Sequence, residues 1–444
     1  MASDLINGEI PDHWEFTTLG EICQRGGGNI QTGPFGSQLH ASDYVPVGVP
    51  SIMPTNIGEN RIVEDGIVRI TEKDANRLGQ HRLQKGDIVY SRRGDVEKRA
   101  LIREREVGWL CGTGCLKVRL GSGVVDPLFA SMFLGHPAIR EWIVRHAVGA
   151  TMPNLNTSIM SAVPFALPPL AEQKAIAAVL GALDDKIELN RRMNSTLEAM
   201  ARALFQSWFV DFDSVRAKLD GRQPPGLDPA TAALFPESFD HADDMLRPTG
   251  WQLKSVYDCA RYINGVAFRD VQFSSDGAGL PVVKIAELKN GLSAQTKFTT
   301  HELAPKYKIR DGEILFSWSG SPDTSIDTFI WAGGDGWLNQ HIFKVEFHRP
   351  EEKLFVYYLL KHLKPTFIEI ARDKQTTGLG HVTAQDMKRL HVAFPTKPIL
   401  QAFQRAVQPV FDMSFTTLTE SRTLAALRDA LLPKLLSGEL KSTP

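Results

Sequence analysis

A segment of about 150 residues occurs twice in this chain, and the duplication constrains the fold more than any other feature. The stretch RLQKGDIVYSRRG, residues 82–94, returns as KIRDGEILFSWSG at residues 308–320. Three further pairs keep the same order: PDHWEFTTL with PTGWQLKSV, GVPSIMPTNI with GLPVVKIAEL, and CLKVRL with IFKVEF. A preserved order over this length indicates a duplicated domain and not a short-period solenoid.

Each copy consists of short β-type runs separated by glycine and proline, with a helical stretch near its end. This pattern is typical of short strands that are joined by turns and packed against helices. We therefore predict an α/β (α+β) fold in which two duplicated, mixed domains contain largely antiparallel sheets.

A different kind of sequence follows each copy. After Pro169 the chain contains no glycine or proline apart from Gly181 until it passes Phe209. Apolar or small residues recur there at alternating steps of four and three, which is the heptad spacing of a coiled coil. The seam is Ile176, Leu180, Leu183, Ile187, Asn190, Asn194, Leu197, Ala201, Leu204 and Trp208, and its counterpart 227 residues later is Phe403, Val407, Val410, Ser414, Thr417, Ser421, Leu424, Arg428, Leu431 and Leu435.

Both seams are apolar at their ends and polar in the middle. They predict two helices of about 40 residues that separate the domains and pair as an antiparallel coiled coil. Pro409 should kink the second helix or delay its start. The alternative is that each helix packs only on its own domain, although one domain offers so long a helix little surface.

The composition limits the functional classes. At 444 residues, with 43% hydrophobic and 23% charged residues, the chain is typical of a soluble globular protein with two or three domains. It has no apolar run of about 20 residues and no visible signal peptide, and its four cysteines fit a reducing cytoplasm. The net charge is only −1, but residues 81–119 are locally basic and residues 211–247 are locally acidic. Binding to nucleic acid would therefore depend on local patches.

The order of copy, long helix, copy, long helix resembles the specificity subunit of type I restriction-modification systems over essentially the whole chain. The stretches that carry the resemblance are LPPLAEQKAI and NSTLEAMARALFQSWFVDF in the first helix, GDIVYSRRG in the first copy and LLPKLLSGEL near residue 440. The resemblance implies domain boundaries, which are target recognition domains at 1–168 and 248–396, helical spacers at 169–210 and 397–444, and an acidic linker at 211–247.

The resemblance also implies a function. Each globular domain would read one half of a bipartite site in double-stranded DNA, and the helices would set the spacing and bind two methyltransferase subunits. Restriction/translocase subunits would join in a complete restriction system. The chain itself would be non-catalytic, cytoplasmic and without a membrane partner. It would bind no cofactor, and S-adenosylmethionine would belong to the methyltransferase.

Candidate DNA-binding residues lie on predicted turns and loops of both copies. Arginine can read guanine or hold a phosphate, and asparagine and glutamine can read adenine. The alternative is that these side chains only cap turns or face solvent. The set is Gln31, Ser37, Gln38, Ser91, Arg92, Arg93, Lys98, Arg99, Thr151, Asn154 and Asn156 in the first copy, and Ser317, Trp318, Ser319, Lys374, Gln375, Thr376 and His381 in the second.

Catalysis is the competing class. A metal-dependent DNA nuclease could use Asp323 with Glu351, Glu352 and Lys353, because two carboxylates and a lysine can hold Mg²⁺ and activate water. However, the pattern is short, and the first copy has no equivalent. The chain also lacks a methyltransferase motif and a Walker loop. The spacing of Cys111 and Cys115 favours buried small residues over a zinc site.

Overall fold

A computed structural model describes residues 11–149, 151–242, 245–293, 295–375 and 378–440. The chain divides into two compact units. Unit 1 comprises Met1–Lys186 with Leu424–Pro444, and unit 2 comprises Ile187–Thr423. Among the described residues, no helix is both long and apolar enough to cross a membrane.

Unit 1 contains ten strands and five short helices within its described part, together with the ends of two long helices. The strands are β1 (Glu15–Thr18), β2 (Gly27–Thr32), β3 (Tyr44–Val45), β4 (Val49–Ile52), β5 (Val68–Ile70), β6 (Ile88–Ser91), β7 (Arg99–Leu101), β8 (Leu110–Cys111), β9 (Cys115–Gly121) and β10 (Pro164–Leu167). The short helices span Leu19–Gly26, Glu72–Arg77, Pro127–Phe133, Pro137–His146 and Thr157–Ser161.

Unit 2 repeats this arrangement and adds a hairpin. Its described strands are β11 (Phe239–Ala242), β12 (Met245–Pro248), β13 (Gln252–Ser255), β14 (Arg261–Asn264), β15 (Leu280–Val283), β16 (Phe298–Thr299), β17 (Lys308–Ile309), β18 (Ile314–Ser317), β19 (Ser319–Gly320), β20 (Asp327–Ile330), β21 (Gly336–Leu338), β22 (Ile342–Glu346), β23 (Gly380–His381) and β24 (His391–Phe394). Its short helices are Asp213–Leu219, Pro229–Ala233, Ile285–Asn290, Pro322–Ser325, Lys353–His362, Lys364–Asp373 and Ala384–Arg389.

The sheets of the two units correspond except for one edge strand, because β3 pairs with β5 in unit 1 whereas β17 pairs with β21, the counterpart of β8, in unit 2. Unit 1 has four-stranded sheets in the orders β2-β9-β6-β7 and β3-β5-β4-β8, and unit 2 has β14-β22-β18-β20 and β16-β15-β21-β17. The pairs β4–β8 and β15–β21 are parallel, and the other named pairs are antiparallel. The predicted mixed fold with largely antiparallel sheets is confirmed.

The repeated segment supplies a central strand, β6 or β18, of the sheets β2-β9-β6-β7 and β14-β22-β18-β20. Gly86 and Gly312 precede the strand with φ angles of 88° and 79°, a left-handed conformation that glycine adopts without a Cβ clash. The apolar triplets that follow, 88–90 and 314–316, are almost completely buried. The recurring tryptophans, Trp14 and Trp251, are also buried in the cores of their units. The repeated motifs therefore supply buried residues of the sheet and core in each unit.

A long helix follows each copy along the chain. The first long helix spans Leu170–Phe209 and the second spans Lys397–Leu436. The second helix begins well before Pro409, so this proline does not delay its start, and that alternative is wrong. Pro398 lies in its first turn, where a proline costs no intrahelical hydrogen bond.

Within unit 2 the two long helices meet through the polar centre of the seam. Asn190 is fully buried, and its Nδ2 donates to a carboxylate oxygen of Glu420 at 2.7 Å. Thr417 is 3% exposed and donates its hydroxyl to Oδ1 of Asn194 at 2.6 Å. Higher numbers on one helix face lower numbers on the other, so the predicted antiparallel pairing is confirmed. Buried polar groups of this kind specify register, because a slipped pair would leave them without partners.

The segment 211–247, predicted as an acidic linker, contains folded elements. It includes the helices Asp213–Leu219 and Pro229–Ala233 and the β11–β12 hairpin. Phe212, Val215 and Phe235 from this segment are buried in the main core of unit 2. The segment is therefore acidic in composition, but the burial of its apolar side chains stabilises it against the rest of unit 2.

Within unit 1 an ion pair joins the two long helices, and it is much less exposed than the ion pair of the neighbouring aspartate. Asp184 and Arg428 are 2.8 Å apart, with side chains 13% and 22% exposed. The neighbouring Asp185 is 72% exposed and pairs with Arg103. Removing the Asp184 carboxylate leaves the largely buried guanidinium of Arg428 with the exposed Asp429, 2.7 Å away, as its partner, whereas an exposed pair contributes little.

We expect Asp184→Asn to lower the free energy of unfolding of unit 1 by about 2 kcal/mol, and Asp185→Asn by about 0.5 kcal/mol or less. Urea unfolding followed by hydrogen exchange in unit 1 would measure both changes. Equal losses in the two variants would show that the Asp184–Arg428 pair contributes no more than a surface pair.

Candidate nucleic-acid interface

Three loops converge at one end of the sheet β2-β9-β6-β7 of unit 1. They comprise residues 33–40, 91–94 and 151–156, and we call them the first loop cluster. The backbone N–H of Leu155 donates to the carbonyl of Arg92 at 2.9 Å, and Arg93 forms a β-bridge with Asn154. The backbone N–H of Gly94 donates to the carbonyl of Pro153 at 3.1 Å. The cluster unites candidate residues that lie up to about 120 positions apart in the sequence.

The two arginines of the first loop cluster have different environments. Arg92 is half-buried, donates its Nε–H to the carbonyl of Leu155 at 3.1 Å, and lies over the ring of Phe35 at 5.7 Å. Arg93 is exposed and forms no ion pair within the described part of the chain. Arg92 therefore holds the loops together, and Arg93 presents its guanidinium to solvent.

Unit 2 builds the corresponding arrangement from residues 264–268, 317–320 and 378–382, which we call the second loop cluster. The backbone N–H of Val382 donates to the carbonyl of Trp318 at 2.8 Å, and Ser319 pairs with His381. The indole N–H of Trp318 donates to the side-chain oxygen of Asn264 at 3.0 Å. These backbone pairings match those of the first loop cluster, so position 92 corresponds to 318, 93 to 319 and 154 to 381.

The correspondence extends to the turn behind each cluster. The backbone N–H of Arg92 donates to Gly114, and that of Trp318 donates to His341. Both acceptor residues have positive φ angles, of 81° and 74°, a conformation that costs a residue other than glycine about 1 kcal/mol. The His341 ring packs edge-on to Trp318 at 5.2 Å, and burial lowers its pKa below the usual value. The imidazole is therefore neutral at neutral pH and forms part of the wall beside Trp318.

Four sequence-predicted residues are either buried, as are Ser91, Ser317 and Arg99, or bound to a neighbouring side chain, as is the 38% exposed Lys374. Ser91 and Ser317 are buried, and Ser91 donates its hydroxyl to the carbonyl of Arg93 at 2.8 Å. Arg99 is 6% exposed and donates its Nε–H to the carbonyl of Ser131 at 2.6 Å. Lys374 forms a 2.5 Å ion pair with the buried carboxylate of Asp386. In this structure Ser91, Arg99 and Lys374 stabilise the fold around the loops through these contacts.

The remaining predicted residues lie in or near the clusters. Gln38 accepts the backbone N–H of Phe35, and Asn156 caps the helix Thr157–Ser161, so both stabilise turns. Lys98 is exposed and pairs with Asp95 at 2.7 Å. The other described members are Gln31 on β2, which is half-buried, and Ser37, Thr151 and Gln375, which are exposed. Thr376 lies outside the described residues.

Phe35, Asn264 and His341 contribute to the clusters but were not predicted from the sequence. Their roles depend on contacts across the sheet, and only the alignment of Gly114 with His341 could have indicated one of them. No sequence motif marks the other two residues.

The residues of the nuclease alternative are engaged separately. Among the described residues, no group of three or more His, Cys, Asp or Glu side chains could hold a metal ion. Asp323 pairs with Arg372, Glu351 pairs with Lys397 at 3.6 Å, Glu352 accepts the backbone N–H of Arg349 at 3.2 Å, and Lys353 donates to the carbonyl of Gly312 at 3.3 Å. Cys111 and Cys115 are free and buried, and burial raises the pKa of both thiols, that of Cys111 to about 12. No observation supports the nuclease.

The family model of the type I restriction modification DNA specificity domain matches residues 11–199 and 248–423, which is most of the chain and both copies. The chain belongs to this family. Its subunits recognise DNA sequence for type I restriction-modification complexes.

Relatives and a solved structure agree with this assignment. The chain is 26% identical over 443 residues to the type I restriction enzyme MjaIX specificity subunit of Methanocaldococcus jannaschii, covering 98% of this chain and 95% of that protein. It is 25% identical over 438 residues to the HindI specificity subunit of Haemophilus influenzae, covering 88% and 95%. The crystal structure of the type I restriction-modification S subunit from M. genitalium has the same fold, with a TM-score of 0.52, 16% identity and 97% coverage of each chain.

Proposed function

We propose that this specificity subunit reads one half of a bipartite DNA site with each loop cluster, and that the chain itself is not catalytic. The observation that carries the proposal is the relation between the clusters. Their backbone pairings coincide, but Arg92, Arg93 and Asn154 in one are replaced by Trp318, Ser319 and His381 in the other. A common scaffold with different side chains at these positions suits two half-sites of different sequence.

The polar groups of the clusters have suitable chemistry. Arg93 can donate two hydrogen bonds to guanine or bind a phosphate. Asn154 and His381 are half-buried, and Oδ1 of Asn154 is fully buried. The Asn154 amide can still donate its N–H to an acceptor on a base edge, and the His381 ring can donate or accept there. Ser37, Thr151 and Gln375 can contribute further polar contacts from exposed positions. The half-buried Arg92 and Trp318 would position these groups.

The long helices would set the spacing between half-sites and dock two methyltransferase subunits. Apolar side chains that are two-fifths or more exposed occur along both helices, at Val179, Leu189 and Met200 on the first and Met413 and Leu427 on the second. These side chains provide apolar area that a methyltransferase subunit would cover in the complex. The methyltransferase would bring S-adenosylmethionine, and restriction/translocase subunits could then join through it.

Reconstitution tests the proposal. The purified chain alone should transfer no methyl group and should not cut DNA in the presence of Mg²⁺. The chain combined with its methyltransferase subunit and S-adenosylmethionine should methylate adenines at one bipartite sequence, as strand-specific methylation mapping would show. The methyltransferase subunit alone serves as the control. Methylation by the isolated chain, or site-independent methylation by the complex, would contradict the proposal.

A further inference from the structure

The two loop clusters each expose a large apolar side chain at an equivalent position, in addition to Phe35 of the first cluster, which is 56% exposed. Met152 lies two residues before Asn154, and Leu379 lies two residues before His381. The two side chains have the same exposed fraction, 59%. Their equivalence follows from the strand pairings, because Asn154 bridges Arg93 as His381 pairs with Ser319.

The neighbouring exposed positions change character between the copies. Arginine at 93 corresponds to Ser319, and threonine at 151 corresponds to glycine at 378. Val148, which is 63% exposed, corresponds to the exposed Gln375. Among these positions of the loop, only the equivalent pair 152 and 379 has a large apolar side chain in both copies.

Packing of the fold does not account for this apolar pair. An apolar side chain contributes to folding through the area that it removes from water, and these side chains leave most of their area in water. The area would be removed from water when DNA fills the space in front of residues 154 and 381. The apolar feature of a base edge in the major groove is the thymine methyl group.

We propose that Met152 and Leu379 are specificity-determining residues, each of which packs on the methyl group of a thymine in its own half-site. The inference rests on the proposed function and adds to it a base identity that the polar residues cannot read. An A·T pair in either orientation presents such a methyl group at a different place in the groove, so the contact also distinguishes A·T from T·A.

Deoxyuridine substitution tests the inference, because it removes only the methyl group. The complete complex would be titrated with duplexes in which each thymine of the bipartite site is replaced in turn. In the wild-type complex, one substitution in each half-site should weaken binding about fourfold, the contribution of one buried methyl-sized group. Met152→Ala should abolish that sensitivity in the half-site read by unit 1 and leave the other unchanged. Leu379→Ala should do the reverse.

Two controls separate this contact from a general surface effect. Leu219 is 60% exposed and lies outside the loop clusters of unit 2, and Val47 is 87% exposed and lies outside those of unit 1. Leu219→Ala and Val47→Ala should retain both deoxyuridine responses. If Met152→Ala and Leu379→Ala also retain them, or if the wild-type complex has none, the inference is wrong although specific binding persists. If the wild-type complex does not prefer its site over unrelated DNA, the proposed function itself fails.

Discussion

Inserting one heptad into each long helix should widen the gap between the two half-sites by up to about three base pairs. Seven helical residues add about 10 Å, and B-DNA rises about 3.4 Å per base pair. The insertions belong between Asp184 and Asn190 on the first helix and between Glu420 and Arg428 on the second. Both interhelical contacts, Asp184–Arg428 and Asn190–Glu420, then remain intact on either side.

A heptad preserves the seam, whereas other lengths do not. The matched control is therefore an insertion of four residues at the same places, which rotates the seam and should abolish site-specific methylation. Methylation mapping in cells that carry the complete system would report the gap and the half-sites separately. The half-site sequences should stay the same. An active heptad variant with an unchanged gap, or with new half-sites, would show that the helices do not set the spacing.

Replacing Arg92 and Arg93 together by alanine should weaken recognition of one half-site only. A loss of roughly 10- to 100-fold is expected if one of them reads a guanine, and tolerance at one or two positions should widen. If they bind phosphates, affinity should fall for all sequences, and the salt dependence should become shallower by about 0.9 for each phosphate that the protein no longer neutralises.

The single variants separate the two roles. Arg93→Ala removes only an exposed guanidinium, whereas Arg92→Ala also removes the interactions with Phe35 and the carbonyl of Leu155. Arg92→Ala should therefore increase hydrogen exchange in residues 151–156 of the free protein, and Arg93→Ala should not. Ser319→Ala in the second loop cluster is the matched control and should leave the first half-site untouched. Full affinity and specificity in a folded double variant would reduce both arginines to turn residues.

The repeated order of motifs was sufficient to predict the duplicated domains, the mixed sheets and the long helices. These features depend on local periodicity and on glycine and proline positions, which can be read directly from the sequence. The antiparallel pairing of the helices was also predicted from the heptad seams. The residues that face each other, such as Asn190 and Glu420, came from the structure. The helices within residues 211–247 were not predicted from the sequence, because the large apolar residues that anchor this segment in the core are few and widely spaced.

Only the tertiary structure decided which candidate side chains are accessible. Ser91 and Arg93 are two residues apart in the sequence, yet one is buried and the other exposed. Arg99 has a side chain that can bind DNA, but it lies under the helix Pro127–Phe133. There its guanidinium donates a hydrogen bond to the carbonyl of Ser131. Burial and partners depend on which strands become neighbours, and neighbouring strands here come from distant parts of the chain. The sequence could therefore name the groups capable of binding DNA, but the pairing of residues 92–93 with 154–155, and of 318–319 with 381–382, determined where those groups meet.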